Sequence, residues 1–158
     1  MSIHATTGKG WKLDRRAEQP VAAIYARTAV ENRAALDRQI ARARAAADAL
    51  GLSVEFVYVD DGVPGDVLDA KDAPGRAALL DVLDKVDIVL VSDLDRLSRD
   101  FVMLPSLIAM FEREDVAIYL TGSDRLFDPA TARLRAAVDA RGKELAARFP
   151  FMTTRGGR

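Results

Sequence analysis

Short apolar runs alternate with longer amphipathic segments along most of this chain. Four runs rich in alanine and β-branched residues predict buried strands: residues 21–27, 52–60, 86–92 and 116–121. Four segments with apolar positions at helical spacing predict helices: residues 32–51, 74–85, 94–115 and 129–147. Within the third helix, Pro105 predicts a turn or a kink. Strands that alternate with helices favour right-handed crossovers, so we expect an α/β fold with a mainly parallel sheet of four to five strands and helices on both faces.

The alternating pattern occupies residues 21–128, which we expect to form a single domain. Residues 1–20 have the composition of a polar N-terminal tail. After the domain, we expect a long C-terminal helix in residues 129–149 and a basic tail in residues 150–158. The loop of residues 60–74 contains two glycines, two prolines and five aspartates, which predicts an exposed and mobile loop.

The composition narrows the possible chemistry. The chain has 158 residues, 49% of them hydrophobic, which is enough for one domain with a substantial core. It contains no cysteine, and its single histidine, His4, lies in the polar tail. Disulfides, thiolate zinc sites, cysteine nucleophiles and histidine bases are therefore excluded. No apolar run approaches the ~20 residues of a membrane span, and we expect a cytoplasmic protein that needs neither a metal nor another cofactor.

Charge is distributed unevenly, although the net charge is only −1. Residues 1–20 carry a formal charge of +2, residues 21–128 carry −8 and residues 129–158 carry +5. An acidic body with basic ends does not bind nucleic acid with its whole surface, so any phosphate-binding region must be local. The basic C-terminal segment fits a solvated helix face and a nucleic-acid contact equally well.

Charged side chains cluster where the predicted strands end. The carboxyl ends of parallel strands share one edge of the sheet, where ligands bind, and that edge receives Arg27, Asp60, Asp61, Asp93 and Asp95.

Two arginines follow in the stretch VSDLDRLSRD, residues 91–100. Arg96 and Arg99 are three residues apart at the start of a predicted helix, so we expect both on one helical face. Cations are unfavourable at a helix N-terminus, and the pair therefore needs an anion. That anion is either an aspartate in an ion-pair network or a bound phosphate, for which Arg27 would be a third ligand.

The ordered motifs of the chain resemble those of the serine recombinases of the resolvase and invertase type. They are YARTAV at 25–30, LDRQ at 36–39, DDGVPG at 60–65, APG at 73–75 and LDRLSR at 94–99. Their order and spacing agree with the family over residues 21 to about 148. The resemblance implies a resolvase-like three-layer fold. It also implies a metal-independent attack of a serine on a DNA phosphodiester, which forms a 5′-phosphoserine link while arginines hold the phosphate.

Matched position by position, the resemblance assigns the family's active-site roles to Arg27, Gln39, Asp95, Arg96 and Arg99. Arg27, Arg96 and Arg99 would hold the phosphate, and Gln39 would support the site. Asp95 would orient the arginines or occupy the family's candidate acid position.

Two positions depart from the family pattern. Ala29 occupies the place of the nucleophilic serine, and Ala73 replaces the loop arginine that precedes Pro-Gly. A methyl group cannot attack phosphorus, so we expect an inactive domain. Thr28 should face the opposite side of its strand, and Ser98 occupies a position that the family fills with small residues for packing.

In the family, the helix after the catalytic domain forms the dimer contact and follows the DNA backbone. The corresponding residues here carry an apolar stripe and a basic face. The stripe comprises Leu134, Val138, Leu145, Phe149 and Phe151, and the expected DNA contacts are Arg133, Arg135 and Arg141. No helix-turn-helix fits after this helix, so we expect weak, sequence-independent DNA binding by a homodimer, or co-assembly with an intact recombinase. Packing of the stripe on its own sheet is the alternative.

Two other functions stay open. The aspartates at 60, 61, 93 and 95 also fit a magnesium-dependent Toprim-like nuclease, although that reading explains neither arginine. A non-catalytic protein-interaction module with no DNA role is the second alternative.

Overall fold

The computed structural model describes residues 19–128, which form a sheet of five strands with helices on both faces. The strands are β1 (Val21–Thr28), β2 (Ser53–Asp61), β3 (Ile88–Val91), β4 (Ala117–Leu120) and β5 (Arg125–Leu126). Their order across the sheet is β2-β1-β3-β4-β5, and only β5 is antiparallel to its neighbour. The predicted α/β fold with a mainly parallel sheet is confirmed; β5, only two residues long, was not among the predicted strands.

Four α-helices accompany these strands: α1 (Arg33–Leu50), α2 (Pro74–Asp81), α3 (Leu94–Leu97) and α4 (Met103–Arg113). Single 3₁₀ turns occupy Ala70–Asp72 and Leu83–Lys85. Helix α1 follows its sequence signals closely. The Asn32 side chain accepts a hydrogen bond from the Ala35 N–H at 3.0 Å, and Gly51 ends the helix in the left-handed conformation at φ 69°.

The core consists of two apolar layers, one on each face of the sheet. Alternating residues of β1 divide between them, because successive strand side chains point to opposite faces. Ala22 and Ile24 pack with α1 residues such as Ala43. On the other face, Ala23 and Tyr25 pack with a set from α2, α3 and α4 that includes Leu79, Leu97, Leu107 and Phe111. The near-continuous apolar sequence of β1 reflects this burial on both faces.

The prediction of one helix over residues 94–115 is wrong. Helix α3 ends at Leu97, and Ser98 is extended, with φ −167° and ψ 150°. The Asp100 carboxylate accepts hydrogen bonds from the N–H groups of Val102 and Met103 at 2.9 and 2.7 Å, and so starts a new helix, α4. Pro105 lies in the first turn of α4, where its missing N–H costs no hydrogen bond.

The loop of residues 60–74 is only partly exposed. Asp60, Gly65 and Ala73 are buried, so the prediction of an exposed loop is wrong at these three positions. Tertiary hydrogen bonds to this segment, described below, are the reason. Within residues 19–128, no helix is long and apolar enough to cross a membrane. The predicted N-terminal tail, except for its last two residues, and the predicted C-terminal helix and tail lie outside the described residues.

Candidate functional site

The predicted site residues meet at the edge of the sheet where the parallel strands end. Arg27 and Thr28 of β1 lie beside Asp60 and Asp61 of β2 in the strand register. Strand β3 ends at Val91, next to β1 in the sheet, and the chain continues into α3 with Asp95 and Arg96. The expected location at the carboxyl ends of the strands therefore follows from the parallel register.

Arg27 is buried under this edge, with only 1% of its surface exposed. Its guanidinium group donates three hydrogen bonds to main-chain carbonyl oxygens: Nε to Arg96 at 3.1 Å, Nη1 to Val63 at 2.7 Å and Nη2 to Asp95 at 2.8 Å. Burial lowers the pKa of Arg27, and the nearby positive charges of Arg96 and Arg99 lower it further. The side chain thus ties α3 to the loop after β2, and its role as a phosphate ligand stays a prediction.

Arg96 contacts the segment after β3 and the end of β1. Its Nε donates to the Ser92 hydroxyl at 3.2 Å and its Nη1 to the Arg27 carbonyl at 3.1 Å. The Asp93 carboxylate lies 3.5 Å from the same Nε, so part of the predicted ion-pair network exists. These contacts hold the guanidinium group in a defined position while about a third of the side chain, 31%, stays exposed.

Gln39 supports the end of β1 from α1. Its side-chain amide donates to the Arg27 carbonyl at 3.0 Å and accepts from the Arg27 N–H at 3.2 Å. The paired bonds satisfy both main-chain groups of Arg27. Gln39 and Arg96 consequently share one acceptor, the Arg27 carbonyl oxygen.

Arg99 lies on a different side of the site. Because α3 ends at Leu97, Arg96 and Arg99 do not share a helical face, and that prediction is wrong. The Arg99 N–H donates to the Gly65 carbonyl at 2.7 Å. Its side chain covers Gly65 so closely that a Cβ there would lie 2.7 Å from Arg99 Cγ and 2.8 Å from Arg27 Nη2. Arg99 and the Asp95 side chain are exposed.

A buried network beneath the site was missed from the sequence. Asp60, 2% exposed, accepts hydrogen bonds from the Tyr25 hydroxyl at 2.7 Å and from the N–H groups of Gly75 and Arg76 at 2.7 and 2.9 Å. The two N–H groups belong to the first turn of α2, where a carboxylate is favourable. Burial, together with the bond to Asp60, raises the pKa of Tyr25 far above its usual value. The sequence signal that could have indicated this network was Pro74-Gly75, which marks the start of α2 and so the free N–H groups that a buried carboxylate can bind.

Arg76 is the second buried arginine, with 3% of its surface exposed. Its Nη1 donates to the Leu97 carbonyl at 3.1 Å and its Nη2 to the Val67 carbonyl at 2.6 Å. An arginine in the first turn of an amphipathic helix looks solvent-exposed in the sequence, so no local signal could have revealed this role.

The position expected for the nucleophile carries no hydroxyl. Ala29 follows directly after β1 and is exposed. The neighbouring hydroxyl, that of Thr28, is 7% exposed as a residue and donates to the Asp61 carboxylate at 2.8 Å. Ser98 is fully buried, and its hydroxyl donates to the Gly65 carbonyl at 3.3 Å. Ser92, which sequence reasoning did not consider, is the partly exposed hydroxyl beside Arg96.

Asp61 is held in its ionised form. The Asn32 N–H and the Thr28 hydroxyl donate to the same carboxylate oxygen, each at 2.8 Å. These bonds lower the pKa of Asp61, the Asn32 bond having the larger effect. Among residues 19–128, no group of three or more acidic or histidine side chains is arranged to hold a metal ion.

The other predicted DNA contacts, Arg133, Arg135 and Arg141, and the predicted dimer stripe lie outside the described residues.

Comparison with known proteins identifies the relatives of this chain. A family model, the resolvase N-terminal domain, matches residues 22–148. The N-terminal catalytic domain of TP901-1 integrase is 28% identical with a TM-score of 0.66, and the match covers 79% of this chain and 98% of that one. The C-terminal catalytic domain of ISC1926 TnpA, an IS607-like serine recombinase, is also 28% identical, with a TM-score of 0.56 over 64% of this chain and 70% of that one.

A resolvase family site-specific recombinase from Streptococcus pneumoniae shares the fold at 18% identity, with a TM-score of 0.63 over 85% of this chain and 94% of that one. No curated protein sequence matches the chain.

Proposed function

This chain belongs to the resolvase family of serine recombinases, and we propose that it is a catalytic-domain homologue without its own nucleophile. In this proposal it acts in the cytoplasm as a DNA-associated, dimerising accessory module in site-specific recombination. The observation that carries the proposal is Ala29, an exposed methyl group at the end of β1 where the family motif has serine.

The neighbouring hydroxyls support the loss of activity. A replacement nucleophile must be accessible to a phosphodiester and free to lose its proton to a base. Thr28 is nearly buried and bonded to Asp61, and Ser98 is fully buried and bonded to the loop. Neither can reach a phosphate without breaking the local structure.

In this proposal the chain keeps the anion-binding part of the family's site. Arg96 is oriented by Ser92 and the Arg27 carbonyl. Arg99 is exposed beside Gly65 in the loop after β2. Planar guanidinium groups bind phosphate oxygens in pairs, so Arg96 and Arg99 are suited to hold a DNA phosphate, with Asp95 and Arg27 shaping their surroundings. Such a site binds DNA without cutting it.

The missing loop arginine argues against reactivation by Ala29→Ser alone. Ala73 is 1% exposed, at the junction between a 3₁₀ turn and α2. An arginine there would bury a charge or force the loop to move. Ala29→Ser alone leaves Ala73 in place of the loop arginine, so we expect the single variant to lack full activity.

For partners, we propose DNA and a second recombinase subunit, either a copy of this chain or an intact relative. Only a partner with its own serine could cut DNA in a shared assembly. Copurification with an intact recombinase supports the accessory role, whereas a chain that binds a partner protein but never DNA fits the interaction-module alternative.

A plasmid assay tests the proposal. Supercoiled DNA incubated with the chain, with and without magnesium, should remain supercoiled, because Ala29 offers no hydroxyl at the family's nucleophile position. Magnesium-dependent nicking would favour the nuclease alternative, and metal-independent nicking would refute the loss of catalysis. Robust cutting by Ala29→Ser would show that the loop arginine is dispensable.

A further inference from the structure

A groove of about 740 Å³ lies beside the candidate site, between α1, the β3–α3 junction and the turn from β4 to β5. It shares Gln39 and Arg96 with the site and extends away from it. Its walls carry four arginines, namely Arg38 and Arg42 from α1, Arg96 from α3 and Arg125 from β5. The family's active-site pattern assigned no role to three of them, Arg38, Arg42 and Arg125.

The groove concentrates positive charge on an acidic body. Its four arginines face two nearby carboxylates, Asp93 and Asp124, which leaves a formal charge of +2. Residues 21–128 as a whole carry −8. The Arg42–Asp124 contact is long, at 3.9 Å, and both side chains are more than half exposed, at 57% and 67%. Such a pair contributes little and leaves Arg42 available to a ligand.

The arrangement suits a tetrahedral anion. Arg38 and Arg42 are one helical turn apart, so they project from the same side of α1. Arg96 lines the same groove from α3, oriented by its bonds to Ser92 and to the Arg27 carbonyl. Guanidinium groups that line one groove can bind the oxygens of one phosphate, or of two successive phosphates.

A second observation comes from the lining of the groove. Thr121 lines the groove and is 1% exposed, and its hydroxyl has no hydrogen-bond partner in the part of the chain that the structure describes. Buried hydroxyls are nearly always bonded, and an exception needs an explanation such as a ligand. An anion at the base of the groove would give this hydroxyl an acceptor.

We propose that this groove binds phosphate groups of the DNA backbone next to the candidate site. The inference rests on the DNA association in the proposed function and deepens it. It assigns the contact to α1 and to the β4–β5 turn, in addition to Arg96. A free phosphate-bearing molecule presents the same chemistry, so the test has to separate the two sources.

The main test is a double variant with a matched control in the full chain. Arg38→Ala/Arg42→Ala removes two charges from the groove, and Arg44→Ala/Arg113→Ala removes two exposed charges elsewhere on α1 and α4. Binding to a short duplex is measured by fluorescence anisotropy over a salt series. We expect the groove variant to bind roughly tenfold more weakly and the slope of log affinity against log salt to fall by about two. The control variant should keep most of the affinity and the slope.

A groove variant that behaves like the control overturns the inference while leaving the proposed function intact. If the unmodified chain binds no DNA at all, the DNA association in the proposed function fails as well, so the two failures are distinguishable.

Inorganic phosphate is the second probe, followed by amide chemical shifts in NMR. Phosphate should shift Gln39, Ser92 and Gly122, duplex DNA should displace it, and Thr121→Val should weaken its binding severalfold without unfolding the chain. Phosphate that binds in the groove but is not displaced by DNA would assign the groove to a small phosphate compound and overturn the DNA contact. No shifts at these residues would overturn the site itself.

Discussion

Two pairs of arginines in this domain have opposite surroundings. Arg27 and Arg76 are almost completely buried, and their guanidinium groups donate to main-chain carbonyls. Arg38 and Arg42 are exposed along a groove, where a long contact to Asp124 competes for Arg42. The same type of side chain therefore builds the site in one pair and is available to a ligand in the other.

The buried arginines, Arg27 and Arg76, supply hydrogen-bond donors to the carbonyl groups of the very short helix α3. Helix α3 has four residues, and the last carbonyls of a helix lack partners within it. Arg27 donates to the carbonyls of Asp95 and Arg96, and Arg76 donates to that of Leu97. Their remaining bonds go to Val63 and Val67 in the loop after β2. The two arginines therefore fix the loop against the segment that carries Arg96 and Arg99.

Replacing a buried arginine should have the largest effect. Arg76→Leu removes the donors to two carbonyls in a buried setting, so we expect the free energy of unfolding to fall by about 3 kcal/mol. Urea denaturation measures the loss. The exposed counterpart, Arg38→Leu, should change stability by less than about 0.5 kcal/mol. Equal effects of the two substitutions would abolish the distinction between the pairs.

A glycine between a fixed and an exposed arginine offers a finer test. In Gly65→Ala the new methyl would meet Arg99 Cγ at 2.7 Å and Arg27 Nη2 at 2.8 Å. Arg99 can move into solvent, whereas Arg27 is held by three hydrogen bonds. We expect a loss of about 1–2 kcal/mol in unfolding free energy.

A double variant with Arg99→Ala tests which contact causes the loss. The double variant should recover only the smaller part of the lost unfolding free energy, namely the part caused by the contact with Arg99. Full recovery in the double variant would mean that Arg27 yields as easily as Arg99.

The sequence predicted the layers of the fold better than the connections of the site. Periodicity located β1 and α1 to within one or two residues, because two-sided burial and end caps are local properties. The family motifs located Arg27, Gln39 and Arg96, which the structure brings together.

The break at Ser98 was not predictable from helix propensity. At the break, the Ser98 hydroxyl and the Arg99 N–H both donate to the Gly65 carbonyl, which is 33 residues from Ser98 in sequence. Asp60 was expected at this edge, but its partners and the burial of Arg76 were missed for the same reason, since those partners come from other elements. Tertiary contacts also decided which arginines are buried, which charge patterning alone cannot reveal.

The smallest predicted effect concerns acid stability. The pKa of Asp61 is lowered in the folded chain by the Asn32 N–H and the Thr28 hydroxyl. The unfolded chain, with a carboxyl pKa of about 3.9, therefore binds the proton more readily. The resulting stabilisation is complete above that value and is lost as the pH falls through the folded pKa.

Thr28→Val removes one of the two donors to Asp61 and should weaken the pH dependence of the thermal midpoint between pH 5 and 3. Arg44→Ala is the control and should keep it. A Thr28→Val variant with an unchanged pH profile would exclude Asp61 as the source.

The most direct measurement of the central claim is covalent trapping on DNA. The chain is incubated with end-labelled duplex, denatured and separated on a gel, with Ser92→Ala as a matched variant of the partly exposed hydroxyl beside Arg96. Because Ala29 offers no nucleophile, we predict no labelled protein band for either chain. A protein–DNA adduct formed by the unmodified chain, at Ser92 or at any other hydroxyl, would contradict the account.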